Sequence, residues 1–335
     1  MDAERGTILV TGGAGYIGSH AVKALVQSGR RVVVYDNLSA GHRAAVRRCE
    51  LVEGDIHDEA GLREVIRRHG VTAVMHFAAW LSVGDSVRDP SGYYRNNVEG
   101  TLALLRSMAA ESVRQLVFSS TAAVYGQPEE TPITEEHRTR PINAYGETKL
   151  AVERALLHFG AAYGLRSVAL RYFNAAGADP EGELGEDHHP EIHLIPRAIE
   201  AALGADPLQV FGGDYDTPDG TCLRDYVHVT DLAAAHLLAL RRLEGGGTSA
   251  TYNLGNGTPF SVLEVIRSVE RVAGRKVLWV PAARRDGDPG VLFASSERIT
   301  RDLQWAPQFT SLDAIVETAW AWKAAHPRGY DERTG

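Results

Sequence analysis

Short apolar runs recur through the first half of the chain, at residues 7–11, 31–36, 50–53, 72–78, 115–120 and 166–172. They are too short for helices, rich in β-branched residues and mostly without polar alternation, as buried strands are. Between them lie stretches of helical spacing, such as His20–Gln27, where Ala21 and Leu25 face one way. Strands alternating with helices predict an α/β fold built on a doubly wound parallel sheet, Rossmann-like in its plan. After Asn174 the texture changes. Residues 175–192 are rich in Gly, Pro, Glu and His and predict a loop. Short strands at 208–211, 222–228, 251–254 and 277–280 and helices at 194–204, 230–243, 261–273 and 311–324 are expected beyond it. The division predicted is a first domain over 1–174 and a smaller α/β lobe mainly over 175–330, some segments of which return to the first domain.

The turn after the first strand reads Thr11-Gly12-Gly13-Ala14-Gly15-Tyr16-Ile17-Gly18. Strand, glycine turn and helix in that order form the dinucleotide-binding pattern. Gly12 permits the turn, Gly15 lets backbone approach a pyrophosphate, and Gly18 lets helix and strand pack closely. The helix N-terminus then offers free N–H groups to the pyrophosphate. The second strand ends at Asp36, eighteen residues past Gly18. A carboxylate there accepts hydrogen bonds from a ribose and repels a 2′-phosphate, which favours NAD over NADP, although Arg43 lies close in sequence.

Composition narrows the partners. The 335 residues are 44% hydrophobic and 23% charged, ordinary for an enzyme with a sizeable core. Net charge is −8 and no basic run occurs, so nucleic acid and anionic membranes are poor partners. Cys49 and Cys222 stand far apart, which suits a reducing compartment. Met1–Arg5 has no apolar signal region and no apolar stretch is long enough to span a bilayer, so a cytoplasmic location is expected.

Tyr145 and Lys149 stand four residues apart, on one face if the segment is helical. A free phenol titrates near ~10. An ammonium at roughly 6 Å, in an effective dielectric of about 20, favours the phenolate by on the order of 3 kcal/mol, or about two units. An oxidised nicotinamide ring would add a second positive charge. The pair therefore reads as a hydride-transfer site with Tyr145 as acid/base. His76-Phe77-Ala78-Ala79 and Ser119-Ser120-Thr121 close two strands at the edge where ligands bind in such sheets.

With these residues in place, the chain resembles the extended short-chain dehydrogenase/reductase family, and within it the UDP-glucose 4-epimerase branch. Asp36-Asn37-Leu38, Tyr93-Tyr94-Arg95-Asn96-Asn97-Val98, the run Ser119–Gly126, Arg171-Tyr172-Phe173-Asn174, the run Asp219–Val229 and Arg284-Arg285-Asp286-Gly287-Asp288 match its pattern. The match runs from about residue 7 to 325. The resemblance implies interconversion of UDP-glucose and UDP-galactose by transient oxidation at C4″ with tightly bound NAD. It places Tyr145, Lys149 and Thr121 as catalytic residues. Tyr16, Ile17, Asp36, Asn37, Asp55, Ile56, Phe77, Ala78, Ala79, Leu81, Asn96, Lys149 and Phe173, with the loop glycines, would line the NAD site. Asn174, His193, Leu194, Gln209, Val210, Phe211, Arg224, Arg285, Asp288 and Leu292 would bind the UDP-sugar. A homodimer through a helical face is implied as well.

Three positions depart from the family pattern. Thr121 stands where many members have Ser, Leu81 where some have Lys, and His193 where others have Asn. His188, His189 and His193 fit no tight tetrahedral set and no carboxylate pattern supports one, so no metal is expected. Other readings stay open: a 4,6-dehydratase, an epimerase of UDP-N-acetylglucosamine or UDP-pentoses, or a silent NAD-binding regulator. A dehydratase needs an acid/base pair directly after the hydroxyl residue, where Ala122-Ala123 stands.

Overall fold

A computed structural model describes residues 6–285 and 289–330. In chain order the strands begin with β1 (Thr7–Thr11), β2 (Val32–Asp36), β3 (Glu50–Glu53), β4 (Val71–His76), β5 (Gln115–Thr121), β6 (Arg166–Tyr172) and β7 (Asn174–Ala176). They continue with β8 (Leu208–Phe211), β9 (Leu223–Arg224), β10 (Tyr226–His228), β11 (Ala250–Leu254), β12 (Phe260–Ser261), β13 (Trp279–Ala282) and β14 (Val291–Leu292). The helices are α1 (Tyr16–Gln27), α2 (Glu59–His69), α3 (Val83–Arg88), α4 (Pro90–Tyr93), α5 (Gly100–Ala110), α6 (Ala144–Tyr163), α7 (Leu194–Ala202), α8 (Val229–Glu244), α9 (Val262–Ala273), α10 (Glu297–Leu303) and α11 (Leu312–Ala325).

Seven strands form one sheet in the order β11-β6-β5-β4-β1-β2-β3, every pair parallel. Strand side chains alternate between faces, and both faces are apolar because both are covered. Ile8, Val10, Val34 and Met75 pack with Ala21 and Leu25 of α1 and Leu232, Ala235 and Leu240 of α8. Leu9, Val33, Val74 and Phe118 point the other way, onto Leu62 and Ile66 of α2, Leu104 and Met108 of α5 and Val152 and Leu156 of α6. The chain runs outward through β2 and β3, then crosses back to β4, so strand order reverses between β1 and β4. A parallel sheet opens a crevice beyond its carboxyl ends at that point.

Two expected boundaries move. Helix α1 starts at Tyr16, not His20, because Gly15 is already extended and acts as its N-cap. The predicted strand 222–228 is two strands in different sheets: β9 lies between β12 and β14, while β10 pairs with β7. Strand β7 also occupies the start of the predicted loop. The break falls at Asp225, which is fully buried. Its carboxylate accepts N–H bonds from Asn256 (2.8 Å), Ala294 (3.1 Å) and Gly257 (3.3 Å). Burial pushes this carboxyl up to about 6 against the pull of those donors.

A second apolar cluster gathers α7, α9, α11 and β8, with Ile199, Val210, Val265 and Ile315 at its centre. Between it and the sheet sits a small seam of Ala122, Val124, Tyr125, Ile133, Leu150, Phe173 and Ala294, against which Leu292 packs.

Removing the Asp225 carboxylate leaves three N–H groups without their acceptor, that of Ala294 fully buried. Asp225→Ala is expected to lower unfolding free energy by on the order of 3 kcal/mol or more, read from urea denaturation. A loss below about 1 kcal/mol would show that water or other groups replace the carboxylate.

Candidate active site

Thr121 is the last residue of β5, at the carboxyl edge of the sheet. Helix α6 starts two residues before Gly146, whose N–H is accepted by the Asn143 side chain at 2.9 Å, an N-cap that fixes where the helix begins. That start places Tyr145 and Lys149 one above the other on the same helical face. The Thr121 hydroxyl oxygen accepts the Ala123 N–H at 3.1 Å, which leaves its own O–H to meet the Tyr145 phenol.

Lys149 is only 3% exposed, and its ammonium donates to the Ser119 carbonyl at 2.8 Å. It lies 5.0 Å from the Phe118 ring centre and 6.0 Å from that of Tyr145. Burial pulls the ammonium down to about 7, with Glu153 opposing. Tyr145 is half-buried as a residue, yet its hydroxyl end is enclosed, and burial pushes the phenol up to about 12 with the Thr121 hydrogen bond opposing. The sequence predicts that Lys149 depresses the Tyr145 pKa. In the structure burial is the largest influence on the phenol, and the Lys149 ammonium is engaged by the Ser119 carbonyl. A phenol with ordinary or raised pKa needs a further positive charge to work as a base near neutrality.

The glycine loop has room for such a charge-bearing ligand. Gly12 has φ +74° and a Cβ there would meet Ala78 N at 2.4 Å. A Cβ on Gly18 would lie 2.1 Å from the Gly12 carbonyl oxygen. On Gly15 it would meet nothing of the chain closer than 3.5 Å. The fold itself therefore needs glycine at 12 and 18 but not at 15, where the requirement falls on whatever approaches from outside. Asp36 accepts N–H bonds from Ala14 and Leu38, both at 2.9 Å, and so ties this loop to the end of β2. Arg43 pairs with Glu53 across the surface.

Asn37 donates to the Asp55 carboxylate at 2.9 Å, and Ile56 is buried beside them. Phe77 and Ala78 both donate their N–H to the Thr11 carbonyl, which presses the two loops of the switch point together. Ala79 follows, half-buried, and Leu81 is 39% exposed at the rim. Asn96 donates to the Asn97 side chain at 2.9 Å. Tyr16 sends its hydroxyl to the Gly177 carbonyl at 2.6 Å, and Ile17 packs on the sheet. His76 is held between Thr11 and Thr101, and burial keeps it neutral with a pKa of about 3.

On the other side, Leu292 stands in register with Arg224, in adjacent strands, and packs on the seam shared by Ala122, Leu150 and Phe173. Asn174 donates its amide to the Asp225 carbonyl at 2.8 Å. Phe211 and Arg285, read separately from sequence, meet each other: the guanidinium lies 4.0 Å above the ring. Gln209 is exposed on β8. Val210 is 3% exposed in the apolar cluster, so its side chain serves packing, not recognition. Leu194 opens α7, while the ring of His193 is turned to Glu186 at 2.6 Å, away from a ligand-contact role. Asp288 lies outside the described residues.

Sequence reasoning passed over Asn97. It is 2% exposed, accepts the Trp80 N–H at 2.8 Å and donates to the Trp80 carbonyl and Thr148 hydroxyl. It thereby ties the loop after β4 to α6, from a wide helical turn over Tyr94–Glu99 of the kind that recurs at functional sites.

The chain is similar to known proteins over nearly its whole length. A model of the NAD dependent epimerase/dehydratase family matches residues 8–255. The chain is 51% identical to the UDP-glucose 4-epimerase of Halalkalibacterium halodurans over 96% of its own length and 97% of the relative's. It is similar to the crystal structure of UDP-glucose 4-epimerase from Brucella ovis in complex with NAD, with a TM-score of 0.93 at 51% identity, covering 95% and 98% of the two chains. The Stenotrophomonas maltophila UDP-glucose-4-epimerase structure, with bound NAD and formylated UDP-arabinopyranose, gives a TM-score of 0.93 at 40% identity over 97% and 99%.

Proposed function

The chain belongs to the NAD dependent epimerase/dehydratase family, and from that premise we propose that it interconverts UDP-glucose and UDP-galactose by inverting C4″ through Thr121, Tyr145 and Lys149. The observation that carries the assignment of residues is the convergence of a strand-end hydroxyl, a phenol and a buried ammonium at the carboxyl edge of the sheet. UDP-glucose 4-epimerases about half identical to this chain over nearly its whole length support the reaction.

The crevice fits NAD. Backbone N–H groups at the start of α1 would meet the pyrophosphate beside the open face of Gly15. Asp36 would take the adenosine ribose, Asn37, Asp55 and Ile56 the adenine, and Phe77, Ala78, Ala79, Leu81, Asn96 and Phe173 the remaining walls. Oxidised NAD bound there supplies a hydride acceptor, a store from which the same hydride returns, and the positive charge that the raised phenol of Tyr145 requires. Lys149 would reach the nicotinamide ribose and add its own charge near the phenol. Tyrosinate Tyr145 takes the proton from the 4″-hydroxyl, and Thr121 would turn its O–H from the phenol to that oxygen. The keto sugar then turns to present its opposite face for the returning hydride, and Tyr145 gives the proton back to the same oxygen. Ala122 and Ala123 carry no acid or base, so water is not lost and the product keeps its C6 hydroxyl.

Arg224 and Arg285 would anchor the diphosphate, with Phe211 and Asn174 beside the nucleotide, so that the sugar alone moves. Two copies would pair through α6, whose Leu157 and Tyr163 are 70% and 52% exposed. Cytoplasmic residence suits Cys49 and Cys222, which form no disulfide. Among the described residues no helix is long and apolar enough to cross a membrane.

Incubated with UDP-galactose and no reductant, the protein is expected to form UDP-glucose with no net NADH consumed. Tyr145→Phe should cut turnover by roughly 10²–10⁴-fold while UDP binding by calorimetry stays unchanged. Retention of more than about a tenth of the activity would remove Tyr145 from its role. A 4-keto-6-deoxy product would overturn the reaction itself.

Leu292 would gate the space beside the sugar C2 substituent, as the family resemblance implies. It is bulkier than Ser but lacks a ring. Crowding should favour UDP-glucose over UDP-N-acetylglucosamine by roughly 10- to 200-fold in kcat/KM. Leu292→Ser should narrow that ratio and Leu292→Tyr widen it. Equal efficiency on both sugars in the parent protein would show that Leu292 is no gate.

A further inference from the structure

The loop between β7 and α7 contains a cluster that the reaction above does not use. His189 is largely exposed and faces Asp187. His188 and His193 turn inward instead, and the path of the loop brings Glu186 and Glu191 to meet them. The spacing of the histidines in sequence gave no sign of these two carboxylates. One ligand atom from each of the four residues lies within 4.8 Å of all the others. His193 Nδ1 is 2.6 Å from Glu186 Oε1 and 3.3 Å from Glu191 Oε1. His188 Nδ1 is 3.2 Å from Glu186 Oε1 and 3.7 Å from Glu191 Oε2.

We propose that Glu186, His188, Glu191 and His193 form a structural Zn²⁺ site that clasps the loop to the cofactor half of the protein. Bonds of 2.0–2.2 Å in a tetrahedron separate ligand atoms by about 3.3–3.6 Å; the distances of 3.2, 3.3 and 3.7 Å lie near that range, and the 2.6 Å contact between His193 and Glu186 would widen around an ion. Glu186 is 8% exposed, yet its Oε1, like Nδ1 of His188 and of His193, has no hydrogen-bond partner. Buried polar atoms are rarely left so, and here three of them face one point. A histidine–glutamate ion-pair network accounts for the contacts of 2.6 and 3.2 Å but leaves these atoms poorly aligned for N–H···O bonds, and a bound ion would use all of them.

A neighbouring cluster shows what a filled site of this kind looks like. Asp179, Glu181 and Glu183 also converge, but the Lys23 ammonium sits among them at 2.7, 2.7 and 2.9 Å. No lysine or arginine enters the Glu186 group among the described residues, where the two imidazoles alone face the carboxylates. Two imidazoles and two carboxylates suit Zn²⁺ in four-coordination. Mg²⁺ and Ca²⁺ prefer oxygen alone, and Cu²⁺ and Ni²⁺ prefer tetragonal geometry. The charges of the two carboxylates would balance the ion.

The outer contacts orient the ligands as metal sites require. Glu191 Oε1 accepts the N–H of Ile192 at 2.7 Å and of His193 at 2.8 Å. The His188 ring meets Tyr16 edge to face at 6.2 Å. His193 is the residue before α7, and Tyr16 opens α1. An ion here would fix the entry of α7 against the glycine loop, without touching the reacting carbon.

The test uses full-length protein without a polyhistidine tag, analysed for metals by mass spectrometry after dialysis against Zn²⁺ and gel filtration. About one zinc per chain is expected, and protein stripped with a chelator should melt at a lower temperature and recover when Zn²⁺ is restored. Glu186→Gln and His188→Ala should each weaken Zn²⁺ binding by calorimetry roughly 100-fold or more. Should those variants fail to fold, the Co²⁺-loaded parent decides alone: intense visible bands of a four-coordinate ion support the site, and weak bands of a six-coordinate ion overturn it. Parent protein that retains no zinc, or Glu186→Gln that binds it as tightly as the parent, would equally overturn the proposal.

Discussion

An ammonium shut away from water has to be held by something else, and Lys149 is held by the Ser119 carbonyl at 2.8 Å. That one bond ties α6 to the end of β5. It sets where Tyr145 stands relative to Thr121, because all three depend on how the helix is seated against the strand. Desolvation of so many polar groups is expensive, so the surroundings of Lys149 have to be rigid and well paired. They are. One turn further along α6, Glu153 accepts from Arg171 and from the Ser120 hydroxyl, and both members of the Glu153–Arg171 pair are nearly buried.

That pairing extends to the seventh strand. Arg171 donates to the Tyr125 hydroxyl at 2.9 Å, which donates in turn to Asn253 of β11 at 2.6 Å. Asn253 then donates to the Ile133 carbonyl at 3.0 Å. A buried ion pair adds little net stability, but losing one partner is costly, so the network acts chiefly to fix geometry. The turn after Thr121 is therefore held by a strand that arrives more than a hundred residues later in the chain. On the opposite side Asp225 does similar work with its three N–H bonds, and the seam containing Leu292 and Phe173 closes between the two.

The strands of the sheet were legible because a strand covered on both faces must be a short apolar run, and such runs are conspicuous. Tyr145 and Lys149 were legible because helical periodicity alone puts them on one face. The start of α1 was not, since Tyr16, Ile17 and Gly18 read as loop while Gly15 in fact caps the helix. The break at Asp225 was hidden inside an apolar stretch whose aspartate is buried for its backbone contacts, which one-dimensional pattern does not reveal. Strands of two residues, such as β9, β12 and β14, carry no periodicity to read. Val210 and His193 show another limit: neighbours in sequence point to opposite sides, and only the fold says which. Likewise, the balance between burial and the Lys149 charge at Tyr145 depends on where the ammonium turns.

The central claim is that burial raises the Tyr145 phenol and that a cationic ligand beside it, with Lys149, brings it down into the neutral range. Ultraviolet difference titration of the protein against Tyr145→Phe, with oxidised or reduced cofactor bound, tests it directly. The account predicts that the tyrosinate signal specific to Tyr145 titrates near neutrality with the oxidised form and shifts upward, towards about 12, with the reduced one. The same titration midpoint in both forms, or a near-neutral signal that persists in Tyr145→Phe, would contradict it.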